Sequence, residues 1–184
     1  VYMSLDQGVT WTHLNTLPVS QFYHVQIDNQ SPYNVYGGLQ DNGSWRGPSQ
    51  SSGGIENRDW ENVGGGDGFW VQPDAIDPAI IFSESQGGEV AKGDTRTNQS
   101  QFLQPQPIKG EEKYRWNWNA PLVKGIVDPK TLFIGAQYLF KTNDRGHSWQ
   151  RISPDLTTND KEKQKQAESG GVTVDNTSAE NHCT

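Results

Sequence analysis

The sequence has few of the residues that cross-link a chain, span a membrane or bind nucleic acid. Its 184 residues include one cysteine, Cys183, which excludes a disulfide within the chain. No run of about 18 apolar residues occurs, so we predict no membrane-spanning helix. The formal net charge is −7 and no stripe of Lys and Arg is present. This charge balance argues against nucleic acid and anionic membrane surfaces as partners.

Familiar metal and catalytic motifs are also missing. The four histidines are scattered, and no Cys/His spacing is typical of a metal site, so we expect neither a metal nor a cofactor. There is no Gly-x-Ser-x-Gly motif, no phosphate-binding loop and no dinucleotide fingerprint. Any chemistry therefore has to come from carboxylates, amides and aromatic rings.

The composition favours an all-β fold. Hydrophobic residues make up only 32% of the chain and the mean hydropathy is −0.83. Yet the chain contains 7 Trp, 6 Tyr and 6 Phe, so aromatic rings must supply much of the buried area. The 20 Gly and 10 Pro indicate many turns and few helices.

One pattern occurs three times along the chain: a polar turn with Pro, an apolar strand with an aromatic residue, and a Gln four residues later. The aromatic residues Tyr36, Phe82 and Phe133 are separated by 46 and 51 residues. This period is typical of a four-stranded propeller blade. We therefore predict a β-propeller built of four-stranded antiparallel blades, with about three full blades and two partial ones in this chain.

The repeat also predicts the strands. First strands are expected at 22–27, 69–72 and 122–127, second strands at 34–39, 80–84 and 131–136, and a third strand at 139–142. Fourth strands are expected to carry Trp11, Trp60 and Trp149. Residues 1–184 would then be part of one propeller domain: a partial blade at 1–20, blades at about 21–60, 69–105 and 120–155, and a further blade from about 170. On this interpretation the chain is a fragment of a longer protein.

Two segments match the Asp-box pattern Ser/Thr-x-Asp-x-Gly-x-x-Trp. In such a turn the Asp carboxylate accepts hydrogen bonds from backbone N–H groups, Gly takes a positive φ, and Trp packs between neighbouring blades. We predict a structural role for both, and we expect them to mark the end of the blades that carries no chemistry. Their pattern residues are Ser4, Asp6, Gly8 and Trp11 in the first, and Thr142, Asp144, Gly146 and Trp149 in the second.

The chain resembles a known group through these boxes and four further motifs, which are residues 36–45, 64–68, 118–121 and 180–183. The group comprises bacterial glycosyl-hydrolase-like Asp-box (BNR) repeat proteins of the sortilin, xyloglucanase and sialidase-like superfamily. The resemblance covers essentially the whole chain. It implies an exported protein (secreted, periplasmic or on the cell surface) that acts on or binds glycans. Fold alone does not settle function in such a group.

The loops opposite the Asp boxes hold the candidate site. Turns between second and third strands, and links between blades, would ring one face with carboxylates, amides and aromatic rings, an inventory suited to sugars. Glycoside hydrolysis needs two carboxyl groups, and Asp41 and Asp67 are the catalytic candidates. The ligand-binding candidates are Gln40, Asn42, Glu89, Trp116, Trp118, Asn119, Tyr138 and Glu168.

Each candidate has a structural alternative. Asp41 caps its own turn, Asp67 belongs to a tight glycine link, and the recurring Gln40, Gln86 and Gln137 make a repeated structural bond. Two classes of function stay open: a glycoside-hydrolase-like enzyme, or a non-catalytic module for a peptide or protein, as in sortilin-type receptors. The expected partners are a glycan or peptide ligand, and the remaining blades of a longer chain or another copy. A sialidase binds the carboxylate of its substrate with a cluster of arginines. Only Arg46 and Arg115 are expected near these loops, so the sequence does not support a sialidase.

Overall fold

The computed structural model describes residues 2–13 and 20–161, which are mostly strands and turns. A hairpin comes first, and three antiparallel four-stranded sheets follow, each with its strands ordered as in the chain. The hairpin is β1 (Tyr2–Met3) and β2 (Thr12–His13); the first sheet is β3 (Phe22–Ile27), β4 (Asn34–Leu39), β5 (Gly43–Pro48) and β6 (Glu61–Gly64). The second sheet is β7 (Gly68–Pro73), β8 (Ile80–Ser85), β9 (Glu89–Asp94) and β10 (Gln99–Phe102). The third sheet is β11 (Leu122–Lys124), β12 (Leu132–Gly135), β13 (Leu139–Thr142) and β14 (Gln150–Arg151).

The prediction of an all-β chain with four-stranded antiparallel sheets is confirmed. Helix is limited to two short 3-10 turns, Asn57–Asp59 and Gln86–Gly88. Among residues 2–13 and 20–161 no sheet closes on itself, and no helix is long and apolar enough to cross a membrane. The further blade predicted from about residue 170 lies outside the described residues.

Apart from differences of one residue at the ends of β7, β8 and β12, two details of the strand prediction were wrong. The first strand of the third sheet ends at Lys124, because Gly125 donates its N–H to the Thr131 carbonyl at 2.8 Å and begins the turn three residues early. Trp11, Trp60 and Trp149 stand directly before β2, β6 and β14 rather than inside them. The last backbone N–H groups bonded within these turns are those of Thr10 and Ser148, which directly precede Trp11 and Trp149. The tryptophans therefore lie at the junction between turn and strand.

The second sheet buries both of its faces. Along β8, Ile80 and Phe82 point into a core shared with the third sheet, while Ile81 points into a core shared with the first sheet. A strand packed on both faces is apolar at successive positions rather than alternate ones, because side chains alternate between the faces. This placement explains the run Ile80-Ile-Phe in an otherwise polar chain.

The first strands of the three sheets are neighbours. The Gln72 amide donates to the Leu122 carbonyl at 2.8 Å, and the Lys124 ammonium donates to the Pro73 carbonyl at 3.1 Å. The His24 ring stacks on Trp70, with centroids 3.8 Å apart and planes 17° from parallel. Contacts therefore run from β3 to β7 and from β7 to β11.

A glycine contact sets the approach of the first and second sheets. A Cβ atom added to Gly38 would lie 2.1 Å from the carbonyl carbon of Gly68. Since that neighbour is backbone, no side chain can turn aside to make room. We expect Gly38→Ala to lower the free energy of unfolding by about 2 kcal/mol, the usual cost of overpacking.

Urea unfolding followed by tryptophan fluorescence measures this effect. Gly65→Ala is the matched control, because an added Cβ there meets no atom within 4 Å. Equal midpoints for Gly38→Ala and the parent protein would contradict the close approach of these two sheets.

Candidate functional site

The loops divide between two ends of the sheets, as the sequence predicted. At one end, the β13–β14 turn meets a β7–β8 turn, where Arg145 Nε lies 2.7 Å from Asp74 Oδ2. At the other end, turns between second and third strands meet links between sheets. There the Gly87 N–H donates to the Trp118 carbonyl at 3.2 Å. All predicted catalytic carboxylates lie at this second end.

Three loops meet at this end to form a polar cleft. The Asp41 N–H donates to Asp67 Oδ1 at 2.7 Å, and the Asp67 N–H donates to Gln86 Oε1 at 2.8 Å. The Gly43 N–H donates to the Gly66 carbonyl at 2.9 Å. The β4–β5 turn, the β6–β7 link and the β8–β9 turn are thereby tied in a row.

Local backbone geometry explains why these sequences make these loops. Asp41, Gly43 and Gly66 have φ values of 59°, 72° and 69°, a region in which glycine carries no steric penalty and Asp is better tolerated than most residues. An added Cβ on Gly66 would lie 2.5 Å from Gln86 Oε1. The glycine therefore lets the link approach the glutamine that holds it.

The cleft is a shallow, open depression of about 490 Å³. It contains the two predicted catalytic carboxylates, Asp41 and Asp67, together with the predicted ligand-binding Asn42. Its lining has no Lys, Arg, His or aromatic side chain among the described residues. The full lining is Asp41, Asn42, Gly43, Asn62, Gly65, Gly66, Asp67 and Gln86.

The predicted aromatic candidates lie outside this cleft. Trp116 stacks on Phe140 with ring centroids 6.0 Å apart, and Trp118 meets Phe69 edge-on at 6.4 Å. Tyr138 is covered by the Arg151 guanidinium, 4.7 Å from its ring centroid. The structure thus places these rings in packing between elements.

The remaining ligand-binding candidates are also dispersed. The Asn119 side chain lies within hydrogen-bond distance of the His24 ring, at 3.0–3.1 Å. The backbone carbonyl of Gln40 accepts a hydrogen bond from the Asn42 side-chain amide at 2.8 Å. Glu89 is exposed at the start of β9 and is not part of the cleft lining. Glu168 lies outside the described residues.

The repeated glutamines hold the links between sheets. Gln137 Oε1 accepts the Arg115 N–H at 2.8 Å, as Gln86 Oε1 accepts that of Asp67. Two of the three recurring glutamines therefore make the repeated structural bond that the sequence suggested. Gln86 also lines the cleft, so it has a second possible role besides holding the link.

Arg46 and Arg115, the two arginines that the sequence predicted near these loops, are both paired with carboxylates. Arg46 is bonded to Glu61, and Arg115 lies 2.7 Å from Asp155. A substrate carboxylate would have to compete with these pairs. The arrangement gives no support to a sialidase-type arginine cluster.

No motif in the sequence selected Glu84, which is completely buried near the end of β8. Its Oε1 accepts the Ala120 N–H at 3.2 Å. Burial raises the pKa of Glu84 to about 9, and the backbone bonds oppose this rise only in part. Glu84 is therefore a neutral acid at pH 7. The available signal was a Glu in the same strand as the apolar run Ile80-Ile-Phe, which indicates that both faces of the strand are buried.

The two turns predicted as Asp boxes have the same hydrogen bonds. The Ser4 and Thr142 hydroxyls accept the N–H of Gly8 and Gly146 at 2.7 and 3.0 Å. Asp6 binds both the N–H and the hydroxyl of Thr10, and Asp144 binds those of Ser148. The bond from the Thr10 or Ser148 hydroxyl has the largest effect, and together these bonds lower the pKa of Asp6 and of Asp144 to about 2.

No protein-family model matches the chain, and no curated protein matches its sequence. Within residues 2–13 and 20–161, no group of three or more His, Cys, Asp or Glu side chains is placed to hold a metal ion.

Proposed function

We propose that the chain is an arc of an exported Asp-box β-propeller that binds or cleaves glycans in the cleft of Asp41 and Asp67. The propeller arrangement is supported by three four-stranded sheets whose first strands are neighbours, and by the matching turns at residues 4–11 and 142–149. Export rests on the resemblance of the motifs to Asp-box proteins.

The observation that carries the glycan proposal is the convergence of Asp41, Asn42, Asp67 and Gln86 from three loops into one open cleft. Carboxylates and amides suit a ligand rich in hydroxyl groups, since each carboxylate accepts and each amide both donates and accepts. In a hydrolase, one carboxyl group would protonate the leaving oxygen while the other acts as base or nucleophile. Asp67 already accepts the Asp41 N–H, which holds its carboxylate in place.

A non-catalytic binding module is the second candidate, and one observation favours it. Trp116, Trp118 and Tyr138 are engaged in packing, so the cleft offers no aromatic platform for a sugar ring. A peptide that presents Lys or Arg would instead pair with the two carboxylates.

Isosteric substitution separates these candidates. Asp41→Asn and Asp67→Asn each remove a charge and keep the shape of the side chain, and in Asp67→Asn the remaining oxygen can still accept the Asp41 N–H. If the chain is a glycoside hydrolase, we expect each to reduce turnover of a cleaved glycan by about 100-fold or more while binding persists. Glu89→Gln is the matched control, since Glu89 lies at the same end but outside the cleft.

Reducing-sugar release measures turnover on a glycan panel, and calorimetry measures binding of the same glycans and of Lys- and Arg-containing peptides. Glycan binding without turnover would assign a lectin-like module. Peptide binding that Asp67→Asn abolishes would assign the second candidate. A parent protein that neither cleaves nor binds any of these ligands would refute both assignments to the cleft.

A further inference from the structure

A groove runs along the outer side of the molecule, between the second and third sheets. It has a volume of about 500 Å³, a size typical of small-ligand pockets. One wall is formed by residues 101–106, at the end of β10, and the other by residues of the β13–β14 hairpin. The link between the two sheets contributes Glu111 and Tyr114. The groove shares no residue with the cleft of Asp41 and Asp67.

The position of the groove does not depend on the ends of the chain. The strands β10 and β14 are the fourth strands of their sheets, while the first strands β7 and β11 are joined by the bond from Gln72 to Leu122. The fourth strands therefore lie on the outer side, and both walls of the groove belong to described sheets. In the proposed propeller a further blade would pack beside the first or the third sheet and would leave this groove open.

The floor of the groove is apolar and largely aromatic. Leu103 and Phe140 are buried, and the Tyr114 ring packs on Phe140 with centroids 4.9 Å apart. The Trp149 indole N–H donates to the Leu103 carbonyl at 2.6 Å. The Tyr114 hydroxyl donates to Glu111 Oε2 at 3.3 Å. Because the polar atoms of Trp149 and Tyr114 are bonded within the protein, both rings offer the groove an apolar surface.

The rim of the groove is polar, and its charges cancel. No charged residue occurs at positions 97–108. Three glutamines of this segment line the groove, namely Gln101, Gln104 and Gln106. With histidine neutral, the charged side chains of the lining are Glu111 and Arg151, which pair at 3.8 Å. An ion bound here would compete with that pair, whereas a neutral ligand would leave it intact.

A neutral sugar chain matches both parts of this lining. A sugar ring carries C–H groups on its faces and hydroxyl groups around its edge, and an amide side chain both donates and accepts hydrogen bonds. The Gln106 amide donates to the backbone and side-chain carbonyls of Gln104, each at 3.3 Å, which holds it at the rim. The groove thus combines amides with the aromatic surface that the described lining of the cleft lacks.

We propose that this groove is a binding site for a neutral oligosaccharide. The face of one sugar ring packs on Trp149 and Tyr114, and its hydroxyl groups bond to Gln101 and Gln106. Among the described residues of the lining, Glu111 has the only carboxyl group. Because glycoside hydrolysis needs two, the groove binds a glycan without cleaving it. The site is separate from the cleft and does not depend on what the cleft binds.

Affinity electrophoresis tests the proposal in gels that contain a neutral polysaccharide: a β-glucan, a xylan, a mannan or starch. At least one of these should retard the parent protein, and Tyr114→Ala and Gln101→Ala should each weaken binding at this site about tenfold. Tyr114→Phe should bind like the parent protein, because the ring and not the hydroxyl meets the sugar. Tyr33→Ala and Gln99→Ala are the matched controls, since both residues are exposed and lie outside the groove.

The cleft variant Asp67→Asn distinguishes the two sites, because it should keep the retardation that Tyr114→Ala and Gln101→Ala remove. Retardation lost in Asp67→Asn but kept in both groove variants would place the glycan in the cleft and overturn the proposal. So would a parent protein that no neutral polysaccharide retards, or one that binds only an acidic polysaccharide such as polygalacturonate. Gln101 is exposed, so Gln101→Ala tests the groove even where Tyr114→Ala unfolds.

Calorimetry with extended peptides covers the other class of ligand. The proposal expects no peptide binding that Gln101→Ala weakens. Such binding, in a protein that no polysaccharide retards, would assign the groove to a peptide and overturn the glycan site.

Discussion

Relative to the parent protein, Glu84→Gln is expected to gain about 3 kcal/mol in free energy of unfolding as the pH rises from 4 to 7. The folded protein raises the pKa of Glu84 from 4.5 to about 9 because its carboxyl group is buried. Between these values the unfolded chain ionises the group and the folded protein does not. Each pH unit therefore costs about 1.4 kcal/mol of stability.

The sign of the pH dependence follows from this order of pKa values. Below pH 4.5 both states hold the proton, and Glu84 costs nothing. Stability then falls as the pH rises towards 9 and levels off once both states are ionised. Gln cannot ionise and has nearly the same shape, so the Glu84→Gln protein should lose this slope.

Urea unfolding at intervals from pH 4 to pH 9 gives the two curves. Glu89→Gln is the control, because Glu89 is exposed and lies five residues along in the next strand. The difference between the two curves should be constant at low pH and should grow steadily in favour of Glu84→Gln above about pH 5. Parallel curves for Glu84→Gln and the parent protein would show that the Glu84 carboxyl ionises normally.

Trp149→Ala is expected to destabilise the protein by about 3 kcal/mol, while Trp11→Ala in dilute solution changes stability by less than about 0.5 kcal/mol. The two residues occupy the same place in equivalent turns. Trp149 packs on the core between the second and third sheets and donates to the Leu103 carbonyl at 2.6 Å. Trp11 is 63% exposed. Removing Trp149 leaves both a cavity and a carbonyl without its partner.

Chemical unfolding of both variants at low protein concentration checks this difference. Equal losses for Trp149→Ala and Trp11→Ala would mean that the hairpin also packs on the sheets. No loss for Trp149→Ala would contradict the docking of its turn on Leu103.

Local patterns were enough to predict most strands. The strands at 22–27, 34–39 and 139–142 were predicted to the residue, because a Pro turn, an Asn-Gly pair or an Asp-box turn borders each of them and their apolar residues are closely spaced. The strand predicted to end at 127 ends at Lys124. Ile126 and Val127 look like strand residues, but a backbone bond that closes the turn left them fully exposed.

The candidate site was predictable only in part. Asp41, Asn42 and Asp67 were found from their loops, and the structure brings them together through one bond between a backbone amide and a carboxylate. The aromatic candidates could not be assigned from sequence. A Trp that stacks on a ligand and one that packs on a neighbouring sheet have the same local context, and only the position of Phe140 or Phe69 distinguishes them.

The sequence by itself determined the all-β class, the repeat and the conformation of the two turns, because these depend on residues close together in the chain. Tertiary structure alone decided which carboxyl group is neutral and which tryptophan is buried. Glu84 differs from Glu89, and Trp149 from Trp11, through neighbours that are distant in sequence: Ala120 in one case and Leu103 in the other. Burial is set by what packs against a residue, and no local pattern records that.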